Sequence, residues 1–135
     1  MIIGIDHIGT LVDSIDKSIA MYVNIFGYTL DKTVKMESVG LTIAFLHLGH
    51  TNIELVAYAG DASQTEFSRN VMGEQTGYNH ICYAVDDLVQ TLSDLEKEGI
   101  RPLKGFPMQG GHGQIAFLNP KDTGDALVEL CEPSH

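Results

Sequence analysis

The chain contains a weak internal duplication, and this repeat limits the possible folds more than any other feature. Three segments recur in the same order at offsets of 73, 72 and 75 residues. They are HIGTLVD (7–13) with HICYAVD (80–86), IAFL (43–46) with IAFL (115–118), and IEL (53–55) with VEL (128–130). A long period that occurs twice predicts two paired modules rather than a solenoid.

Each copy has the hydrophobic pattern of one strand, one helix and three further strands. In the first copy we expect strands at 3–12, 28–36, 40–48 and 51–58, and a helix that Asp13 or Ser14 caps and Gly27 ends. In the second copy we expect strands at 78–85, 100–105, 113–119 and 126–132, and a helix that Asp86 or Asp87 caps and Gly99 ends. Residues 61–73 predict a connecting helix with Phe67, Val71 and Met72 on its buried face.

These elements predict an α+β protein made of two βαβββ modules, approximately residues 3–58 and 78–132. A half-sheet of this kind has long unpaired edges, which two copies can satisfy by pairing. We therefore expect one curved mixed sheet with a cleft. No linker rich in proline and serine separates the copies, so residues 1–135 are predicted to form a single domain.

Composition excludes several classes of protein. With 8 basic and 18 acidic residues among 135, the formal charge is −10, which argues against nucleic acid or an anionic membrane as partner. No stretch approaches the length of a spanning helix, and the N-terminal sequence lacks the pattern of an export signal, so we expect a cytoplasmic protein. Cys82 and Cys131 lie in apolar runs, where reduced, buried thiols are expected.

The repeat places four possible metal ligands at equivalent positions. His7 corresponds to His80 on the first strand of each copy, and Glu54 corresponds to Glu129 on the last strand. Taken singly, each has an ordinary explanation, because a histidine at a strand start or an acid in an alternating strand commonly faces solvent. Their recurrence as matched pairs favours a divalent ion, with Co, Zn, Ni, Mn and Fe as candidates, in a metal-centred cleft.

The chain resembles the vicinal oxygen chelate superfamily, the glyoxalase and bleomycin-resistance fold, over roughly residues 3–133. Within it the closest resemblance is to the methylmalonyl-CoA epimerase family. The segments that carry the resemblance are DHIG (6–9), FL (45–46), GHTNIEL (49–55), NHI (79–81), VDD (85–87), and IAFLNPKDTG (115–124) leading to LVEL (127–130). The histidine and glutamate motifs specify the superfamily, whereas the NPKDTG stretch favours the epimerase branch.

The resemblance implies that His7, Glu54, His80 and Glu129 bind the metal, and that an acyl-CoA or related carbonyl acid is enolised there. It also implies a homodimer, and it makes Glu129 a candidate proton carrier. In some epimerases a second glutamate lies near the position of Thr42, and this chain has no acid there. The glycine-rich segment 107–114 is either a flexible connection or a flap from which His112 touches the ligand.

Other functions use the same fold. A glyoxalase I-type lyase has the same four ligands, whereas an Fe(II) dioxygenase needs only two histidines and one carboxylate. A non-catalytic binding or resistance protein is the third alternative, although such proteins often lack the ligands.

Overall fold

The computed structural model describes residues 1–133, which divide into two compact units. The first unit is His7–Asn79, and the second combines Met1–Asp6 with the chain from His80 onward. The elements are β1 (Ile2–Leu11), α1 (Ile15–Asn24), β2 (Thr29–Met36), a short 3-10 helix (Glu37–Val39), β3 (Leu41–Leu48), β4 (Thr51–Tyr58), α2 (Ala62–Met72), β5 (Gly77–Val85), α3 (Leu88–Lys97), β6 (Met108–Gln109), β7 (Gly113–Phe117) and β8 (Val128–Pro133). Two βαβββ modules are therefore present. The single domain of residues 1–135 stays a prediction. Residues 134–135 lie outside the described part.

The first unit has the strand order β2-β3-β4-β1. Strands β1 and β4 are parallel, whereas the two pairs formed with β3 are antiparallel. Helix α1 begins after Ser14, whose side chain accepts a hydrogen bond from the Lys17 amide, and it packs on one face of β3 and β4. The core between them contains Tyr22, Ala44, Leu46, Ile53 and Leu55.

The second unit repeats this plan with the strand order β5-β8-β7-β6. Strands β5 and β8 are parallel, and β7 is antiparallel to both β8 and β6. Asp87 is the N-cap of α3, since its carboxylate accepts a hydrogen bond from the Gln90 amide. The core under α3 contains Val85, Leu88, Leu92, Ala116, Leu118 and Leu130. No helix in residues 1–133 has the length and apolar character needed to cross a bilayer.

Two local predictions are wrong. The strand expected at 100–105 does not form, because Pro102 has no amide hydrogen and makes only an isolated bridge to Leu118. The β6 strand lies instead at Met108–Gln109. In α2, Phe67 is exposed, whereas Thr65 and Ser68 are buried. The Ser68 side faces inward because its hydroxyl donates a hydrogen bond to the Val39 carbonyl at 2.6 Å.

The close approach of α2 to the 3-10 helix depends on Gly40. Its φ is +65°, and an added Cβ would lie 2.7 Å from the Gln64 carbonyl oxygen and 2.8 Å from Thr65 Cγ2. We expect Gly40→Ala to lower the free energy of unfolding by about 1–3 kcal/mol, from backbone strain and overpacking. Gly4→Ala is the control, because nothing lies within 4 Å of its Cβ position. Equal urea midpoints for the two variants would contradict this role for Gly40.

Candidate metal centre

In the first unit His7 and Glu54 form a buried pair. The His7 Nδ1 atom lies 2.7 Å from Glu54 Oε2, and the residues are only 3% and 8% exposed. The parallel register between β1 and β4 produces this contact. Gly9, two positions after His7, is the register partner of Glu54, so both side chains project from the same face.

In the second unit His80 and Glu129 form the equivalent pair. The His80 Nε2 atom lies 3.1 Å from Glu129 Oε1, and the residues are 7% and 5% exposed. Cys82, two positions after His80, is the register partner of Glu129, so the geometry of the first unit recurs. The sequence repeat thus corresponds to a repeated backbone register, although the contacting ring nitrogen differs between the two histidines.

Each carboxylate is flanked by a phenylalanine to which the sequence pattern assigned no role. Phe45 of β3 is the register partner of Glu54, and Phe117 of β7 is the register partner of Glu129. The Phe117 ring packs edge-to-face on His80 at 5.0 Å between centroids. The identical IAFL segments already contained this signal, because each places phenylalanine at the same point of the repeat.

Thr42 does not occupy the position expected for a second acid. Because side chains alternate along β3 and Phe45 lies on the Glu54 face, Thr42 lies on the opposite face, towards α1. The residue on the Glu54 face is Ile43, which is 7% exposed and belongs to an apolar cluster. Glu37 is exposed in the 3-10 helix.

The glycine-rich segment places His112 against Asp6 within the second unit. The His112 Nε2 atom lies 3.2 Å from Asp6 Oδ2. Both cysteines are free and buried, as predicted, and they contact each other. Hydrogen bonds with Cys82 and His112 lower the pKa of the Cys131 thiol, whereas the bond with Cys131 raises the pKa of Cys82.

The chain belongs to the glyoxalase/bleomycin resistance protein/dioxygenase superfamily, since the model of that family matches residues 6–117. Among its relatives is the mitochondrial methylmalonyl-CoA epimerase of Homo sapiens. The two are 35% identical over 129 residues, which cover 93% of this chain and 72% of the human protein.

Solved structures of epimerases have the same fold. The methylmalonyl-CoA epimerase from Mycobacterium tuberculosis matches with a TM-score of 0.85 at 28% identity, over 99% of this chain and 90% of that one. A methylmalonyl-CoA epimerase in complex with methylmalonyl-CoA and NH4+ matches with a TM-score of 0.83 at 25% identity, over 99% and 96%. These similarities confirm the predicted resemblance, the predicted fold class and the prediction of an epimerase-type enzyme with a small-molecule substrate.

Proposed function

We propose that this chain is a metal-dependent epimerase that inverts the configuration at carbon 2 of methylmalonyl-CoA or a closely related acyl-CoA. The observation that carries the proposal is the pair of buried histidine–glutamate contacts at equivalent register positions. The names of the relatives support methylmalonyl-CoA as the substrate. The chemistry is suitable, because carbon 2 of methylmalonyl-CoA is acidic, lying between a thioester carbonyl and a carboxylate.

We further propose that His7, Glu54, His80 and Glu129 together bind one divalent ion. The donor set is suitable, since two imidazoles and two carboxylates match the ligands that Zn, Co, Ni, Mn or Fe accept in proteins. Burial supports the assignment, because a carboxylate that is 8% or 5% exposed loses much of its hydration and a cation compensates for that loss.

A bound divalent ion would polarise the substrate oxygens and lower the pKa of the hydrogen on the carbon between them. The protein's side chains then orient the substrate and move the proton. Phe45 and Phe117 place an apolar ring next to each of the two carboxylates on the neighbouring strand. The Lys32 Nζ lies 5.0 Å from the centre of the Phe45 ring, which brings one positive charge to the sheet face that carries Glu54.

Glu129 is the proposed proton carrier. His80 and Glu129 lie side by side, so both would reach the same ion, one Glu129 oxygen binding it while the second oxygen accepts the proton. Epimerisation also requires that a proton return on the opposite face of the carbon. Because neither Thr42 nor Ile43 carries an acid, this second transfer depends on a different group from the one that some epimerases use.

The function is tested by following solvent deuterium into the substrate. We expect the Mn²⁺-loaded protein in D2O to introduce one deuterium at carbon 2 of methylmalonyl-CoA, measured by mass spectrometry. Propionyl-CoA is the matched control, because it lacks the second carboxyl group and we expect far slower exchange. A metal-loaded protein that leaves both substrates free of deuterium would exclude the proposed activity. The homodimer and the cytoplasmic location stay predictions.

A further inference from the structure

The second unit contains a cluster of donor atoms that differs chemically from the proposed ligands. Asp6, Cys82 and Cys131 each contribute one potential ligand atom, and these atoms all lie within 4.8 Å of one another. His112 joins them, because its Nε2 lies 3.2 Å from Asp6 Oδ2 and its side chain hydrogen-bonds to Cys131. Two sulfurs and one oxygen therefore converge with the His112 ring beside them, and the Cys82 sulfur also lies within 4.8 Å of a Glu129 oxygen, so this cluster adjoins the proposed ligands.

We propose that Asp6, Cys82, Cys131 and His112 form a second metal site, which binds a thiophilic divalent cation such as Zn²⁺. Four-coordinate zinc has bonds of about 2.0–2.3 Å, so its ligand atoms lie roughly 3.3–3.8 Å apart in a tetrahedral site. The donor atoms of Asp6, Cys82 and Cys131, which lie within 4.8 Å of one another, must draw together by up to about 1–1.5 Å to reach this geometry. Thiolate ligands favour zinc over hard cations such as Mn²⁺.

Burial supports a cation at this cluster. Cys82 and Cys131 are 0% and 1% exposed, and the Asp6 side chain is only 16% exposed. A carboxylate enclosed by two thiols lacks the hydration that stabilises its charge, and a metal ion compensates for this loss. His112 is 28% exposed, so an ion enters from the side of this residue and Asp6.

Strand register argues against a disulfide as the purpose of the two thiols. Cys82 is the register partner of Glu129, and Cys131 is the register partner of Ala84. The cysteines are therefore diagonal neighbours on adjacent strands, and the Cα atoms of such neighbours lie about 7–8 Å apart. Disulfides normally need a shorter Cα separation. Two cysteines that bind one metal ion can have Cα atoms farther apart, because the ion lies between the two sulfurs.

The experiment is a titration of the full-length, metal-free protein with Co²⁺, a spectroscopic substitute for zinc. Thiolate-to-cobalt charge-transfer absorption in the near ultraviolet reports cobalt bound by Cys82 or Cys131, because His7, Glu54, His80 and Glu129 have no sulfur. We expect one equivalent of Co²⁺ to produce this band in wild type. Cys131→Ser should weaken the band at least about twofold, because Cys82 is then the single thiolate of the site, and the isosteric Asp6→Asn should weaken the cobalt affinity at least about tenfold.

His80→Ala separates this site from the proposed function. The variant removes a proposed ligand of the other metal, so the charge-transfer band should persist in it whether or not the epimerase proposal holds. Absence of the band in wild type at saturating Co²⁺ would overturn the thiol site. A band of unchanged intensity in both Cys131→Ser and Asp6→Asn would do the same. Circular dichroism identifies a variant that has not folded, and Asp6→Asn then provides the decisive comparison.

Discussion

Replacement of Glu129 by glutamine is expected to slow deuterium exchange at carbon 2 of methylmalonyl-CoA by about 10²–10⁴-fold, the usual contribution of a positioned acid or base. The amide keeps the shape of the side chain and an oxygen that can bind the ion, but it cannot accept a proton from carbon. The initial rate of exchange in the Mn²⁺-loaded variant measures the effect, at substrate concentrations that saturate wild type.

Glu37→Gln is the matched control for this substitution. Glu37 is an acid in the 3-10 helix between β2 and β3, and it is exposed. We expect its variant to exchange at the wild-type rate. If Glu129→Gln kept full activity while Glu37→Gln lost it, the proton carrier would be misassigned.

His7→Ala and His80→Ala are each expected to reduce bound Mn²⁺ from about one ion per chain to below about one tenth. Each change removes an imidazole from a pair that is nine-tenths buried and leaves a carboxylate without its neighbour. Mn²⁺ is the appropriate probe, because thiolates bind it poorly and the cysteine cluster then contributes little. Metal content is measured by elemental analysis after gel filtration.

His47→Ala is the control for the metal measurement. His47 is 40% exposed and its Nδ1 contacts Asp31 at 2.8 Å, so it resembles the proposed ligands in pairing but not in burial. Its variant should retain the wild-type manganese content. Full retention of manganese in both His7→Ala and His80→Ala would remove the basis of the four-ligand proposal.

The repeat predicted most of what positions the candidate site. Matching His7 to His80 and Glu54 to Glu129 located both pairs, because a duplicated strand pattern preserves register as well as hydrophobicity. The caps Ser14 and Asp87 were among the predicted alternatives, since a short polar side chain before an apolar helical pattern satisfies the free amides of the first turn.

The remaining features depend on tertiary contacts that hydrophobic patterning does not encode. Phe67 was expected in the core, but the hydrogen bond from Ser68 to Val39 sets the rotation of α2 and turns Phe67 outward. The position of Thr42 required the register of β3 with β4, because a shift of one residue exchanges the two faces of a strand. The contact of Asp6 with His112 joins residues far apart in sequence, which no local pattern reports.

Anomalous diffraction from crystals of the Mn²⁺-loaded protein tests the central claim most directly. We expect a single strong peak bonded, at about 2.0–2.2 Å, to a nitrogen of His7, a nitrogen of His80 and a carboxylate oxygen of each of Glu54 and Glu129. Two separate peaks, one at each histidine–glutamate pair, or a peak bonded to only one pair, would contradict it.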